Sequence, residues 1–352
     1  MTDPVYAKLA AAQVCDLPDE AGVLNGGPSP NGWSRQGDAG TCPQRWAFHN
    51  LFGDPTLRDL TGPLHDPLVR GTLVHVGMEH YWTRKLVQTH GGEATGLLDP
   101  VAAIRAFADR ADYRRNEAGG VPGWSEHVDL AQQAMRLYVQ QAPHAHLVPE
   151  AVEYVVAMWF DDEGVEVGPP PDADRRLDLA RARRYAELYL LGAPWLSTFR
   201  VDLLGRLPDG RVALIDWKTA YRVNQTKRDG FLLAGQMLQY AHWGWSRKDQ
   251  FPGGFAGVYV GFCDFTQVAK GDASRAFPLH GVGWQPAGVA RFGRSVADRG
   301  QRIRDLLRSG RDVEDWPRAF VEQGPCTDRY GRCEYARWCG EGVPESVHRW
   351  KG

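Results

Sequence analysis

The strongest constraint on the fold is a pair of apolar runs between residues 198 and 217. The runs Thr198–Leu207 and Arg211–Trp217 are separated by a Pro-Asp-Gly triplet, whose backbone preferences suit a tight reversal. Two strand-like runs around such a turn predict an antiparallel β-hairpin. Asp202 and Asp216 are about equally far from the turn, so antiparallel pairing would place the two carboxylates side by side.

The end of this hairpin also carries the residues for a metal-dependent reaction. Lys218 follows Asp216 by two residues and therefore shares its face of the strand. Two close carboxylates repel each other unless a cation lies between them, and hard oxygen donors suit Mg²⁺ or Mn²⁺. A neighbouring lysine can position or help deprotonate a water and stabilise charge at phosphorus. The pattern indicates phosphodiester hydrolysis, although the same residues could form an ordinary exposed ion-pair cluster.

Two further motifs lie on predicted helices on either side of the hairpin. Gly71 and His75 form a G-x-x-x-H motif, in which a neutral imidazole could bind the metal. Gln236 and Tyr240 are spaced i and i+4, so both project from one helix face and could contact a phosphate or orient the lysine. Taken singly, a histidine on a helix is usually structural, and a Gln/Tyr pair more often belongs to the core or surface.

The remaining periodicities predict an α/β fold with a central mixed sheet flanked by helices, because helices alternate with strands around the hairpin. The predicted helices cover approximately residues 67–88, 100–116, 125–141, 174–191, 231–245 and 287–307, and the other strands cover 152–160 and 254–262.

Four of the six cysteines form a second candidate metal site. Cys326, Cys333 and Cys339 are spaced C-x6-C-x5-C, and Cys42 lies far upstream in a Cys-Pro pair. Clustered cysteines in a chain that looks cytosolic are read first as metal ligands, because that compartment keeps thiols reduced. Four thiolates suit either zinc or an iron-sulfur cubane. The closely paired C-x-x-C elements that zinc sites often use are absent here.

The order of motifs between residues 71 and 240 resembles the RecB-like branch of the PD-(D/E)XK nuclease superfamily. Its members carry G-x-x-x-H on a helix, D in a strand, D-x-K in the next strand and Q-x-x-x-Y on the following helix. The resemblance implies a restriction-endonuclease-like core in which the metal ligands are His75, Asp202, Asp216 and the Trp217 carbonyl, Lys218 is the catalytic lysine, and Gln236 and Tyr240 support them. The family often has Gly three residues before the first Asp, where this chain has Phe199.

The cysteine pattern is similar to that of iron-sulfur nucleases, including the CRISPR-adaptation and AddB-type enzymes. That resemblance implies a structural 4Fe-4S cluster on Cys42, Cys326, Cys333 and Cys339, with zinc as the less favoured occupant. The last three cysteines of those nucleases are often spaced C-x2-C-x5-C, so the first gap is longer here. The predicted domains are an N-terminal arm (1–65), a nuclease core (66–310, with 162–195 as a candidate insertion) and a C-terminal cluster lobe (311–352), so both termini would form the iron-sulfur lobe.

Charge and motifs limit the expected substrate. A net charge of -2 gives no global attraction to nucleic acid, so binding must depend on local patches such as Arg222, Lys227 and Arg228. No base-reading motif is present, which favours recognition of DNA ends or single strands. We therefore expect a Mg²⁺- or Mn²⁺-dependent deoxyribonuclease acting as an exonuclease. The alternative is a nuclease-like DNA-binding subunit of a recombination, repair or defence complex with weak or no cutting, and a helicase partner is compatible with either.

The sequence also gives an expectation about location. No run approaches the roughly 18 apolar residues of a membrane span, and the N-terminus lacks the basic, apolar and small-residue regions of a secretion signal. We therefore expect a cytoplasmic protein without a membrane partner.

Overall fold

The computed structural model describes residues 42–50, 66–109, 123–182, 184–232, 234–284, 286–312, 316, 327–328 and 331–332. The cluster cysteines predicted at 326, 333 and 339 lie outside these residues, as does most of the predicted N-terminal arm. Cys42 is described and is buried.

Each of the six predicted helical regions contains helix, and the described residues add three short helices at 43–50, 265–268 and 273–276. The helices are α1 (Pro43–Asn50), α2 (Asp66–Thr89), α3 (Pro100–Ala108), α4 (Trp124–Gln141), α5 (Ala173–Arg181), α6 (Tyr185–Leu190), α7 (Gln225–Leu232), α8 (Gly235–Ser246), α9 (Phe265–Val268), α10 (Ala273–Ala276), α11 (Pro286–Val289) and α12 (Phe292–Arg308). A 3-10 turn covers Lys248–Gln250.

Six strands form one mixed sheet in the order β2-β1-β3-β4-β5-β6. They are β1 (Val148–Phe160), β2 (Glu166–Val167), β3 (Trp195–Arg206), β4 (Val212–Ala220), β5 (Phe255–Asp264) and β6 (Leu279–Gly281), and a separate two-stranded ribbon contains β7 (Thr327–Asp328) and β8 (Gly331–Arg332). β3 and β4 are antiparallel, β4 and β5 are parallel, and β5 and β6 are antiparallel. The predicted hairpin and the central mixed sheet flanked by helices are confirmed.

Three predicted helices are each divided in two. The region 174–191 forms α5 and α6, because the Arg184 N–H reaches back to the Leu179 carbonyl (2.8 Å) and closes the first helix. The region 231–245 contains the end of α7 and most of α8, separated at Ala234, whose backbone is extended. The region 287–307 forms α11 and α12. These breaks depend on local hydrogen bonds that apolar periodicity does not reveal.

The chain divides into two compact units, and the first contains residues 63–154 and 200–287 of the central region. In this unit α2 and α4 cover one face of β4 with a buried aromatic layer, and α3 packs against both helices. Trp217 stacks on Trp82 at 6.5 Å between ring centroids and meets Tyr138 edge-on at 6.0 Å. The opposite face of β4 carries Asp216, which the buried Tyr240 of α8 contacts. Helices therefore cover both faces of the strand that carries the D-x-K motif.

The second unit contains residues 155–199 and 288–352 together with 28–62. Trp195 is buried in it, and its indole N–H donates to the Asp162 carboxylate at 3.1 Å. Gly300 allows α12 to pack directly against this indole, since a Cβ at that position would lie 2.3 Å from Trp195 Cε3. Within the part of the chain that the structure describes, no helix is both long enough and apolar enough to cross a membrane.

Candidate active site

The predicted site lies where the β3–β4 hairpin opens. The antiparallel ladder runs from Arg206↔Val212 to Leu203↔Ile215, and the next opposed positions are Asp202 and Asp216. At this point the Asp202 carboxylate, rather than a backbone carbonyl of β3, accepts the Trp217 N–H at 2.6 Å. The Asp202 carboxylate therefore satisfies the Trp217 N–H where the two strands diverge. Both acidic residues lie at the position where the ladder ends.

Asp202 has a cationic or hydrogen-bonding partner from the first long helix. His75 of α2 places Nδ1 3.5 Å from Asp202 Oδ2, and the imidazole is one-third exposed. Burial lowers the pKa of His75, but the charge of Asp202 and the contact with it outweigh burial and raise the pKa to about 8. Burial raises the pKa of Asp202, but His75, Lys218 and the Trp217 N–H together lower it by more. The pKa of Asp202 therefore lies below its ordinary value.

Asp216 is buried and is held from three sides. The Lys218 ammonium lies 2.5 Å from its Oδ2, while the Gln236 side-chain amide donates to Oδ1 at 3.2 Å and the Tyr240 hydroxyl lies 3.1 Å from the same oxygen. The Tyr240 hydroxyl is also 2.7 Å from the Arg200 carbonyl and accepts from Gln236 at 2.6 Å. The Q-x-x-x-Y pair thus fixes one oxygen of Asp216 and leaves the other facing Lys218.

The pKa of Asp216 moves in the direction opposite to that of Asp202. Burial raises the pKa of Asp216, the charge of Asp202 adds to this effect, and Lys218 opposes it without cancelling it. Burial likewise raises the pKa of Tyr240 well above its ordinary value, so its hydroxyl remains a neutral donor. Negative charge is therefore crowded at this point, which is where an added cation would be stabilised most.

The glycine of the G-x-x-x-H motif has a packing role. A Cβ on Gly71 would lie 3.1 Å from Thr219 Oγ1, so the absence of a side chain lets α2 approach the end of β4. His75 lies about one helical turn later on α2 and reaches Asp202. Close approach of the helix at residue 71 therefore positions the imidazole against the acidic pair.

Three charged groups near the acidic pair lie outside the predicted ligand set. The Arg200 Nε atom lies 2.7 Å from Glu153 Oε2, and burial together with the charge of Asp202 raises the pKa of Glu153 to about 8. Glu79 is one turn after His75 on α2, and burial raises its pKa, with Asp202 adding to the shift. The i, i+4 spacing of His75 and Glu79 was a usable sequence signal, whereas the Glu153–Arg200 pair joins separate strands and had none.

Glu153 is also conformationally unusual, because its φ of 51° is in the left-handed region although it is not glycine. Such a residue costs about 1–3 kcal/mol of strain and persists only where its surroundings fix it. The ion pair with Arg200 is one such constraint.

The donor set suits a hard divalent cation. Within the described residues, no three His, Cys, Asp or Glu side chains are already grouped as a metal site. The Lys218 ammonium and the His75 imidazole instead act as counter-charges to the two carboxylates. Oδ2 of Asp216 is buried and faces the Lys218 ammonium, so a cation bound at this oxygen would take the place of that contact. Two carboxylates from neighbouring positions offer the oxygen ligands that Mg²⁺ or Mn²⁺ prefers, and the imidazole could add a nitrogen ligand.

The structure brings together His75, Asp202, Asp216, Trp217, Lys218, Gln236 and Tyr240, all within the first unit. It does not test the four-cysteine cluster, because only Cys42 is described.

A family model described as the PD-(D/E)XK nuclease superfamily matches residues 34–340. No curated protein compared with the chain matches it.

Proposed function

Because the chain belongs to the PD-(D/E)XK nuclease superfamily, we propose that it is a metal-dependent deoxyribonuclease whose active site is the opening of the β3–β4 hairpin. The observation that carries this proposal is the β3–β4 register, which ends at Leu203↔Ile215 and brings Asp202 and Asp216 to the next positions, with the Lys218 ammonium on the second carboxylate. Hydrolysis of a phosphodiester bond needs a cation, a positioned water and a group that stabilises developing negative charge. At the hairpin opening, the two carboxylates and His75 could hold the cation, and Lys218 could position the water and stabilise the developing charge.

In this proposal the cation is held by Asp202, Asp216 and His75, joined by the Trp217 carbonyl. A divalent cation bound there would polarise the scissile phosphate and lower the pKa of the attacking water. The cation position is favourable because two carboxylates lie close together with little exposure to solvent. The raised pKa of Asp216 has the same cause. The His75 imidazole can serve as a ligand only in its neutral form, so cation binding would displace the proton that its contact with Asp202 stabilises.

Lys218 has a separate role at the reacting atoms. Its side chain is about one-fifth exposed, so the ammonium can face substrate while its stem is packed. It would orient the attacking water and stabilise negative charge that develops on the phosphoryl oxygens. Gln236 and Tyr240 are positioning residues in this scheme, because they hold Asp216 Oδ1 and touch no reacting atom.

We further propose that the substrate is DNA. The enzyme would act on DNA ends or single strands and degrade them as an exonuclease. Support comes from the basic residues Arg222, Lys227 and Arg228, which follow β4 directly, and from the lack of a base-reading motif in the sequence. A nuclease-like subunit that grips DNA without cutting it remains the second candidate, since the Lys218 ammonium already neutralises Asp216.

Metal dependence is the direct test of this assignment. We expect labelled single-stranded DNA to be cut with Mn²⁺ and not with EDTA. Asp202→Asn retains an acceptor for the Trp217 N–H but removes the charge, so we expect the half-saturating Mn²⁺ concentration to rise on the order of 10–100-fold or more. Calorimetric Mn²⁺ titration and cleavage assays measure both effects.

The matched control for that experiment is Asp209→Asn in the same hairpin. Asp209 is about half exposed and pairs with Arg211 at the turn. Its loss should leave Mn²⁺ binding and cleavage unchanged. Equal Mn²⁺ affinity in wild type and Asp202→Asn would contradict the proposed ligand set, and metal binding without any cutting would favour the DNA-binding subunit.

We also propose a 4Fe-4S cluster on Cys42, Cys326, Cys333 and Cys339, with zinc as the alternative. The sequence spacing supports it, and the burial of Cys42 is compatible with it. Ligation in comparable sites contributes on the order of 10 kcal/mol, so the role would be structural. We expect about four irons per chain, with absorbance near ~400 nm, and loss of iron and solubility in Cys333→Ala. One zinc per chain without iron would decide for the alternative, and a stable metal-free protein would contradict both.

A further inference from the structure

An exposed aromatic side chain lies directly beyond the proposed active site. Among the described residues, Tyr221 has the most exposed of the large hydrophobic side chains, at 68%. It follows the last residue of β4 and comes three residues after Lys218. Three residues of extended chain span about 10 Å, roughly the spacing of one to two nucleotides. The ring is therefore within reach of a strand whose phosphate lies at the site.

The backbone that presents this ring is fixed. The Tyr221 carbonyl accepts the Thr266 N–H at 3.0 Å, and the Val223 N–H donates to Asp264 Oδ2 at 2.8 Å. Asp264 is buried, and its other oxygen accepts the N–H groups of Thr266 and Gln267 at the start of α9. One carboxylate thus anchors the segment after β4 to the end of β5. The exposed ring is held on a rigid support rather than on a loose loop.

Cationic residues follow Tyr221 in the same segment. Arg222 is the next residue and is exposed, and Lys227 and Arg228 lie in the first turn of α7. The start of α7 is ordered by Asn224, whose side-chain oxygen accepts the Lys227 N–H at 2.9 Å. A fixed aromatic face among cations matches the chemistry of single-stranded nucleic acid, in which a base stacks while phosphates pair with Lys or Arg.

We propose that Tyr221 is a nucleobase-stacking residue for the single strand that enters the nuclease site, with Arg222 and Lys227 binding the adjacent phosphates. This inference rests on the proposed deoxyribonuclease function and adds a substrate contact to it. The stacking partner is any base, because every base offers a π face to the ring. The contact therefore raises affinity for unpaired strands without adding sequence preference.

The test compares two 12-nucleotide strands of equal charge, one with bases and one in which the central residues are abasic. Binding is measured by fluorescence anisotropy in Ca²⁺, so that affinity is read without cutting. We expect wild type to bind the strand with bases about 5–100-fold more tightly than the abasic strand. Tyr221→Ala should lose that difference and retain the abasic affinity, while Tyr221→Phe and Tyr221→Trp should preserve it.

The controls separate stacking from general apolar contact and from folding. Tyr221→Leu keeps an apolar side chain without a ring and should behave as Tyr221→Ala. Leu98→Ala removes another exposed apolar side chain of the same unit and should bind as wild type. Thermal melting of each variant should match wild type, because the anchoring contacts of residue 221 use its backbone.

Two results would overturn the proposal. Equal preference for bases in Tyr221→Ala and wild type, or full retention in Tyr221→Leu, would exclude stacking on this ring even if the enzyme cuts DNA. No binding of either strand by wild type would overturn it together with DNA as the substrate, whereas base-dependent binding without cutting would contradict only the proposed hydrolysis.

Discussion

Replacing Lys218 by methionine is expected to lower the rate of DNA cleavage by on the order of 10²–10⁴-fold while the protein remains folded. Methionine keeps a flexible apolar stem but lacks the ammonium that lies 2.5 Å from Asp216 Oδ2. The variant therefore removes the group proposed to orient water and stabilise developing charge. Single-turnover cleavage at saturating Mn²⁺ is the measurement, because it separates the chemical step from metal binding.

Lys218→Met is also expected to raise the affinity for Mn²⁺, although it lowers the cleavage rate. The Lys218 ammonium is the counter-charge of Asp216 in this structure and therefore competes with a divalent cation for that carboxylate. Lys218→Met should consequently bind Mn²⁺ more tightly than wild type although it cuts poorly. This would separate Lys218 from Asp202, a proposed metal ligand whose loss is expected to weaken both Mn²⁺ binding and cleavage.

Lys218→Arg is the matched control because it keeps the positive charge but changes its geometry. We expect Mn²⁺ affinity near that of wild type and a cleavage rate between those of wild type and Lys218→Met. A cleavage rate of Lys218→Met within about threefold of wild type would place the chemistry elsewhere in the chain.

The hairpin and its motifs could be predicted from sequence because their signals are local. The turn residues at 208–210 fix the register, and the two-residue period of a strand fixes which side chains share a face. Continued one position beyond Leu203↔Ile215, that register brings Asp202 to Asp216. The Q-x-x-x-Y spacing likewise places Gln236 and Tyr240 on one side of α8, where both contact Asp216.

The parts that sequence did not provide depend on contacts between distant segments. Glu153 and Arg200 meet across two strands, and the buried Asp264 supports Tyr221 from the end of β5. Neither contact leaves a periodic or spaced pattern. The opening of the hairpin is also a tertiary result, because it depends on the Trp217 N–H turning to the carboxylate of Asp202.

Replacing Trp217 by alanine is expected to lower the free energy of unfolding by about 3–5 kcal/mol. The indole is buried, stacks on Trp82, and contacts Tyr138 and His144 at 6.0 and 5.4 Å between ring centroids. Gly261 lies beneath it, since a Cβ there would be 2.1 Å from Trp217 Cζ3. Gly261 has no side chain that could fill the space that the indole vacates. Denaturant unfolding in EDTA measures the loss, and Trp217→Phe should lose less.

Trp217→Ala should also weaken Mn²⁺ binding at the site. The Trp217 N–H donates to Asp202, and the Trp217 carbonyl is a proposed metal ligand. Phe255→Ala is the matched control: Phe255 is buried, packs against Phe251 and Trp245, and begins β5 at the end opposite Asp264. Both variants should lose comparable stability, but only Trp217→Ala should weaken Mn²⁺ binding at temperatures where both are folded. Equal Mn²⁺ affinity in the two variants would mean that the aromatic layer stabilises the fold without positioning the acidic pair.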